Sequence, residues 1–295
     1  MDDSVAVVRA FNRTVTQRTG VLADSYLSPL PLGEARVLWE TGDTGCDVRT
    51  LRARLGLDSG YLSRLLRSLE SKGLVRVAGR HDDRRVRHVS LTKGGRRQRR
   101  QLDRRSDAVA ESMLGGLSAD SRDRLVTSMR EVTRLLTIGA VDVAVADPDA
   151  HDARWCVAQY FAELDRRFGS GFDPAASLPA DADDMRAPAG LFVLARLHGE
   201  PVACGALKLH GPAPTELKRM WVAPDARGLG LGRRMLTELE QRAAAHGSTV
   251  IRLETNRSLT EAIAMYRMAG YREVPPFNDE RYADHWFEKP LTTPV

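Results

Sequence analysis

The chain has three cysteines in 295 residues, Cys46, Cys156 and Cys204, and no C-x-x-C pair. That scatter excludes a disulfide framework and the common zinc arrangements, and it fits a reducing compartment. No apolar run approaches the ~20 residues needed to span a bilayer. The opening Met1-Asp2-Asp3-Ser4 lacks the basic-then-apolar plan of a secretory leader. The expectation is a cytoplasmic protein with no metal and no membrane partner.

The composition is ordinary for a globular protein, with 42% hydrophobic residues, and the length accommodates two domains that each bury a core. Charge is uneven. Residues 1–140 hold 26 Lys and Arg against 17 Asp and Glu, whereas 141–295 hold 18 against 22. A basic first half (+9) joined to a mildly acidic second half (−4) directs any polyanionic partner to the first. Around 138–149 the composition shifts to Ala, Val and Asp, which sets the expected domain division at 140.

In the first half, Val48, Leu51 and Leu55 recur at helical spacing before Gly56. Asp58 or Ser59 can cap a second helix, whose Leu62, Leu65, Leu66 and Leu69 fall at i, i+3, i+4 and i+7 before Gly73. Two short helices around a glycine turn are the helix-turn-helix plan. The face opposite the leucines carries Gly60, Tyr61, Ser63, Arg64, Arg67 and Ser68. Arginines there can pair with guanine edges, and hydroxyls can hold phosphates. Two strand-like runs, 74–77 and 87–91, flank a basic tip with Arg84 and Arg85, suited to a minor groove. The arginines from Arg96 to Arg105 read as the solvated face of a long helix, or as contacts to flanking phosphates.

These motifs, namely Tyr61-Leu62-Ser63-Arg64, Leu69-Glu70-Ser71-Lys72-Gly73-Leu74-Val75, Asp83-Arg84-Arg85 and Leu91-Thr92-Lys93-Gly94-Gly95, resemble the MarR family of winged helix-turn-helix regulators. The resemblance implies a homodimer built from helices at about 3–19, 93–114 and 119–138. It also implies a palindromic double-stranded operator, read by Ser59, Tyr61, Ser63, Arg64 and Arg67, with Arg84 and Arg85 at the wing.

In the second half, a strand-like run (216–222) leads into Arg227-Gly228-Leu229-Gly230-Leu231-Gly232 and then a helix-like run from Arg233. Glycines at a helix N-terminus bare backbone N–H groups toward an anion, and the helix dipole favours negative charge there. Two other phosphate motifs are excluded. Gly232 is followed by Arg233-Arg234 where a P-loop needs Lys-Ser/Thr, and the loop lies too late for a Rossmann unit. Further strands are expected at 141–146, 191–197, 201–207 and 250–254. Helices are expected over 149–168 and 260–269, the latter opened by a Ser258/Glu261 capping box.

The Arg-x-x-Gly-x-Gly spacing after Lys218-Arg219-Met220 resembles the acetyl-CoA loop of the GNAT acetyltransferases. The resemblance implies an α/β fold with a mixed, mostly antiparallel central sheet over 141–295, following a mainly α winged helix-turn-helix domain over 1–140. It implies that Arg227, Gly228, Leu229, Gly230, Leu231, Gly232 and Arg233 hold the pyrophosphate of acetyl-CoA. Met220, Trp221 and Val222 would pair with the pantetheine arm, Asn256 would touch that arm, and Tyr266 would act as general acid. The base expected is Glu216, with Glu254 and Glu163 behind it. The segment 160–173 combines aromatics with both charge signs and suits a small amine or zwitterionic acceptor. His198, His210, His246 and His285 show no partner spacing. Two rival readings are a second half that only senses acyl-CoA and a first half that only dimerises.

Overall fold

The computed structural model describes residues 3–19, 30–79, 86–178, 180–211 and 214–291. The chain forms two compact units, Met1–Met129 and Arg130–Val295. The division falls inside the helix that precedes residue 140, where the sequence reading sets its boundary.

The first unit is built from α1 (Asp3–Thr19), α2 (Leu32–Glu40), β1 (Cys46–Asp47), α3 (Val48–Leu55), α4 (Ser59–Ser71), β2 (Val75–Gly79), β3 (Arg87–Leu91), α5 (Lys93–Leu114) and the start of α6 (Ala119–Gly139). The strands form a small sheet in the order β1-β3-β2, with Val75 opposite Leu91. α3 stops at Gly56, whose φ of 63° a side chain would oppose. Asp58 then caps α4, accepting a bond from the Tyr61 amide at 2.8 Å. The four leucines of α4 are all buried and form one core with Leu38, Leu51 and Val89. α2 has no counterpart in the sequence reading. Its Pro31 N-cap gives no side-chain signal, and its Glu34 is buried, accepting from Ser68 Oγ at 2.8 Å and from Lys72. α1 has no buried residue, and Val5, Val7, Val8 and Phe11 are exposed.

The second unit is one seven-stranded sheet with helices on both faces. Its elements are β4 (Val141–Ala146), α7 (His151–Arg167), β5 (Gly190–Leu197), β6 (Glu200–Lys208), β7 (Thr215–Val222), α8 (Leu231–Ala245), β8 (Val250–Thr255), α9 (Thr260–Met268), β9 (Arg272–Val274) and β10 (His285–Pro290). The strand order is β4-β5-β6-β7-β8-β10-β9, antiparallel throughout except between β7 and β8. The sheet is therefore mixed and mostly antiparallel. One face packs against α8 and α9 through Met235, Leu239, Ile263 and Phe287, and the other against α7 through Ala153, Cys156 and Phe192. A Cβ at Gly205 would come within 2.6 Å of Leu239, so glycine there lets α8 lie close to the sheet. The capping box does not form: α9 begins after Leu259, and Glu261 instead accepts from Arg167 at 2.6 Å. No helix among the described residues is long and apolar enough to cross a membrane.

Two features of β7 place the site. Its ladder to β8 holds only Thr215 with Ile251 and Glu216 with Arg252. Beyond Glu216 the two strands part, leaving that edge of Leu217–Val222 without a strand partner. The pairing with β6 also slips between Cys204 and Ala206, and Arg219 opposite the slip has a φ of 55°. Such a bulge bends a strand and re-aims its side chains.

Candidate functional site

A cleft of about 560 Å³ opens between the far end of β7, α7, α9 and the glycine loop. Met220, Trp221, Val222 and the residues from Arg227 to Arg233 line it, except Leu229, which packs into the core. Gly228 and Gly230 take φ values of 77° and 83°, and a Cβ at Gly228 would meet nothing within 4 Å. The loop surface is open there, and α8 begins directly after it with bare amides. These features fit a pyrophosphate. The loop is held from behind: Arg134 donates to the Leu229 carbonyl at 3.3 Å, and a Cβ at Gly230 would come within 2.9 Å of that guanidinium.

Glu163 organises the side of this cleft. It is buried (7% exposed) and accepts from Trp221 Nε1 at 2.9 Å, from Arg167 Nη1 at 3.3 Å and from Arg227. Burial alone would raise its pKa, but the bond from Arg227, with Trp221 and Arg167, outweighs that and holds the carboxyl below its ordinary value. Arg167 continues the chain to Glu261. In the sequence Glu163 reads as a runner-up base and Arg167 as part of the acceptor segment; the meeting of Arg167 and Arg227 on the one Glu163 carboxylate comes from tertiary packing.

The lowered value has a pH consequence. A depressed carboxyl adds stability that is complete above its unfolded pKa and is lost as pH falls through the folded one. Glu163→Gln is therefore expected to flatten the acid limb of stability between about pH 5 and pH 3. Urea midpoints of both proteins across that range check it, and identical slopes would refute it. Arg227 is 42% exposed at its side chain, so solvent moderates the effect.

A second, smaller cavity of about 100 Å³ adjoins the cleft. Both are lined by Tyr160, Met220 and Tyr266, so the two spaces meet there. Tyr266 is 6% exposed, its hydroxyl lies 3.9 Å from Met220 Sδ, and its ring packs on Tyr271 and Phe287. Burial, with the charge of Glu254 contributing, pushes its phenol well above the usual range. It stays protonated at neutral pH. Burial likewise pushes Tyr160 up to about 12.

The expected base does not line either space. Glu216 is bound by Arg252 at 2.7 Å, Lys218 at 3.2 Å and His210 at 3.6 Å. Burial would raise it, but Lys218 and Arg252 hold it below the carboxylate range. Glu254 does line the smaller cavity, paired with Lys218 and 3.4 Å from Asn278 Nδ2. Asn256 borders that cavity too and not the larger cleft, and its Nδ2 donates to the Tyr282 carbonyl at 2.7 Å. Phe168, Phe172 and Tyr282 form its aromatic wall, with centroids 4.9–5.8 Å apart. Three of the four histidines do have partners: His285 lies 2.6 Å from Glu273, His210 faces Glu216, and His246 Nδ1 lies 2.8 Å from the Arg242 carbonyl.

In the first unit, Ser59, Tyr61, Arg64 and Arg67 lie on the exposed face of α4, with Ser63 half-buried beside them. Arg64 stacks over Tyr61 at 5.6 Å, and Arg67 Nε donates to the Ser63 carbonyl at 3.3 Å. Ser68 turns inward to Glu34 and leaves this face. Arg84 and Arg85 lie outside the described residues. In α5, Arg96 donates to the Leu91 carbonyl and Arg99 pairs with Asp43 at 2.8 Å, while Arg97, Arg100, Arg104 and Arg105 are exposed.

Comparison with known proteins separates the two units. The acetyltransferase (GNAT) family profile matches residues 158–271, and that of the MarR family matches residues 28–85. An IAA acetyltransferase of Azospirillum brasilense is 36% identical over 122 residues, 41% of this chain and 80% of its own length. The HTH-type transcriptional regulator SarZ of Staphylococcus haemolyticus is 36% identical over 86 residues, 29% of this chain, and the match spans 57% of that regulator. A GNAT-family acetyltransferase structure from Staphylococcus aureus Mu50 aligns with a TM-score of 0.45 at 18% identity, covering 52% of this chain and 100% of that one. The chain belongs to the acetyltransferase (GNAT) family, and its residues 28–85, ahead of that match, fit the MarR family profile.

Proposed function

We propose that the protein is a DNA-binding transcriptional regulator and an acetyl-CoA-dependent N-acetyltransferase acting on a small amine or amino-acid-like acceptor. The observation that carries the enzymatic half is the meeting of the two spaces at Met220 and Tyr266. One space has a bare glycine loop at a helix N-terminus, and the other has a carboxylate and an aromatic wall. Acetyl-CoA in the larger space supplies an acyl thioester.

Glu254 takes the proton that an acceptor ammonium must lose before its nitrogen attacks the thioester carbon. A backbone amide on the edge of β7 that β8 leaves open donates to the carbonyl oxygen while it carries charge. As the C–N bond forms and the C–S bond breaks, Tyr266 gives its phenolic proton to the departing sulfur. The second proton of the nitrogen leaves through Glu254, and solvent resets both residues. Geometry favours Glu254 over Glu216 because a base must reach the proton it removes.

The regulator half rests on the exposed α4 face and the apolar, unburied α1. A homodimer closed over α1, α5 and α6 would present two α4 helices to a palindromic operator. A protein that reads DNA and uses acetyl-CoA works where both occur, in the cytoplasm. Selection of bound duplexes from a random pool tests this half: a palindromic consensus supports it, and uniform retention overturns it.

The pairing of Glu254 with Lys218 favours a second reading, a non-catalytic acyl-CoA sensor, because a carboxylate held by a lysine is less free to turn to an acceptor. Free-thiol release from acetyl-CoA over a panel of amines decides between them. The expected result is turnover that falls at least about 10²-fold in Glu254→Gln and stays near wild type in Glu216→Gln. Equal losses in both would remove Glu254 as the base. Tight binding of acetyl-CoA with no turnover of any amine would establish the sensor.

A further inference from the structure

We infer that the acceptor carries a carboxylate beside its amine, and that Arg219 is the group that recognises it. The inference rests on the acceptor cavity assigned above and names what that cavity selects.

Arg219 is out of the ordinary in its backbone. Successive residues of a strand face opposite sides of the sheet, yet Lys218, Arg219 and Met220 all border the smaller cavity. The φ of 55° at Arg219, where β6 and β7 slip in register, breaks the alternation. A bulky residue in the left-handed region is strained, and such strain persists where the surroundings over-determine it, often at ligand sites. Here the strained conformation sets Arg219 at the border of the cavity.

Its charge is also unmatched. Four ionisable side chains of opposing sign border this cavity: Lys218, Arg219, Glu254 and Glu280. Lys218 is matched by Glu216 and Glu254. Glu280 is satisfied by neutral donors, namely Ser177 Oγ at 2.9 Å and the amides of Leu178 and Tyr282. Arg219 has no ion pair among the described residues, and its Nε is buried with no hydrogen-bond partner. A buried donor left unmade is costly, and in native structures it points to a missing partner. The guanidinium stacks over Phe161 at 4.6 Å, with Tyr160 6.0 Å away. Stacking occupies its faces and leaves its edge N–H groups to make the paired hydrogen bonds that a carboxylate accepts. It also borders a neighbouring cavity with Asp149 and Asp181; Asp149 is taken by Arg186 at 2.7 Å, and neither acid forms an ion pair with Arg219.

A carboxylate on Arg219 sets the rest of a small molecule. An amine one carbon away falls among Glu254, Tyr160 and Tyr266, where Glu254 can take its proton. The remaining substituent faces Phe168, Phe172 and Tyr282. The acceptor class is thus an α-amino acid or a close relative, and a simple amine leaves the guanidinium without its partner.

The test uses matched pairs that differ only in the carboxylate: L-phenylalanine with 2-phenylethylamine, L-leucine with 3-methylbutylamine, and L-methionine with 3-(methylthio)propylamine. Binding to the full-length protein is measured by calorimetry with CoA present, alongside acetyl-CoA turnover, in wild type, Arg219→Met and Arg219→Lys. The expected result is a wild-type preference of at least tenfold for the carboxylate member of one or more pairs. Arg219→Met abolishes that preference without weakening the amine member, and Arg219→Lys recovers part of it. Turnover with no carboxylate preference, or a preference that survives in Arg219→Met, overturns the inference and leaves the enzyme intact. Arg219-dependent binding of the carboxylate member without turnover upholds it and refutes the catalytic reading. No preference in either binding or turnover across the pairs also overturns it.

Discussion

Tyr266→Phe is expected to lower kcat by about 10²- to 10⁴-fold, or roughly 3–5 kcal/mol of barrier, and to leave the affinity for acetyl-CoA unchanged. The substitution isolates the proton. The ring of Tyr266 packs against Tyr271 and Phe287, and phenylalanine preserves those contacts. Its hydroxyl has only a weak partner, Met220 Sδ at 3.9 Å, so removing it strands no strong donor or acceptor. Burial keeps the phenol protonated at neutral pH, so the hydroxyl is available as a donor. Kinetics by thiol release and affinity by calorimetry check the split. An unchanged kcat would remove Tyr266 from the chemistry, and a parallel loss of affinity would assign it to binding.

The largest expected effect on stability is at Phe287. It is fully buried in β10, opposite Leu253 of β8 and Glu273 of β9, with its ring 6.1 Å from that of Tyr266. Phe287→Ala is expected to cost about 3–5 kcal/mol, combining lost transfer energy with the cavity left behind. The urea transition of the second unit should move to lower denaturant with little change in slope. A loss below about 1 kcal/mol would mean that α9 collapses into the space, a sign that the seat of Tyr266 is softer than its burial implies.

Neither β9 nor β10 was legible in the sequence. Residues 272–274 are too few to show a period, and 285–290 run His-Trp-Phe and then Glu-Lys-Pro, so no clear period of two emerges. Their identity as strands comes from β8, which supplies six partners for β10. By contrast, α4 was legible because its apolar spacing, cap and stop signal agree, and the glycine loop because glycine at φ near 80° has few other uses. The loop composition accounts for the cleft, but it says nothing of which carboxylate reaches it. Glu216 and Glu254 look alike in sequence, and only the parting of β7 from β8 separates their surroundings. The aim of Arg219 was equally hidden, since nothing in Lys218-Arg219-Met220 signals a left-handed backbone.

The short ladder between β7 and β8 has a consequence for how the sheet moves. Eight partner pairs join β5 to β6 and six join β8 to β10, but only two join β7 to β8. The sheet is therefore two plates fastened at one end of a shared seam. Rupture of that fastening breaks two partner pairs, whereas the ladders on either side hold five and six, so this seam is where the β4–β7 plate and the β8–β10–β9 plate part at the lowest cost in ladder bonds. A molecule wedged along the open length of the seam would act as the missing rung and stiffen both plates at once.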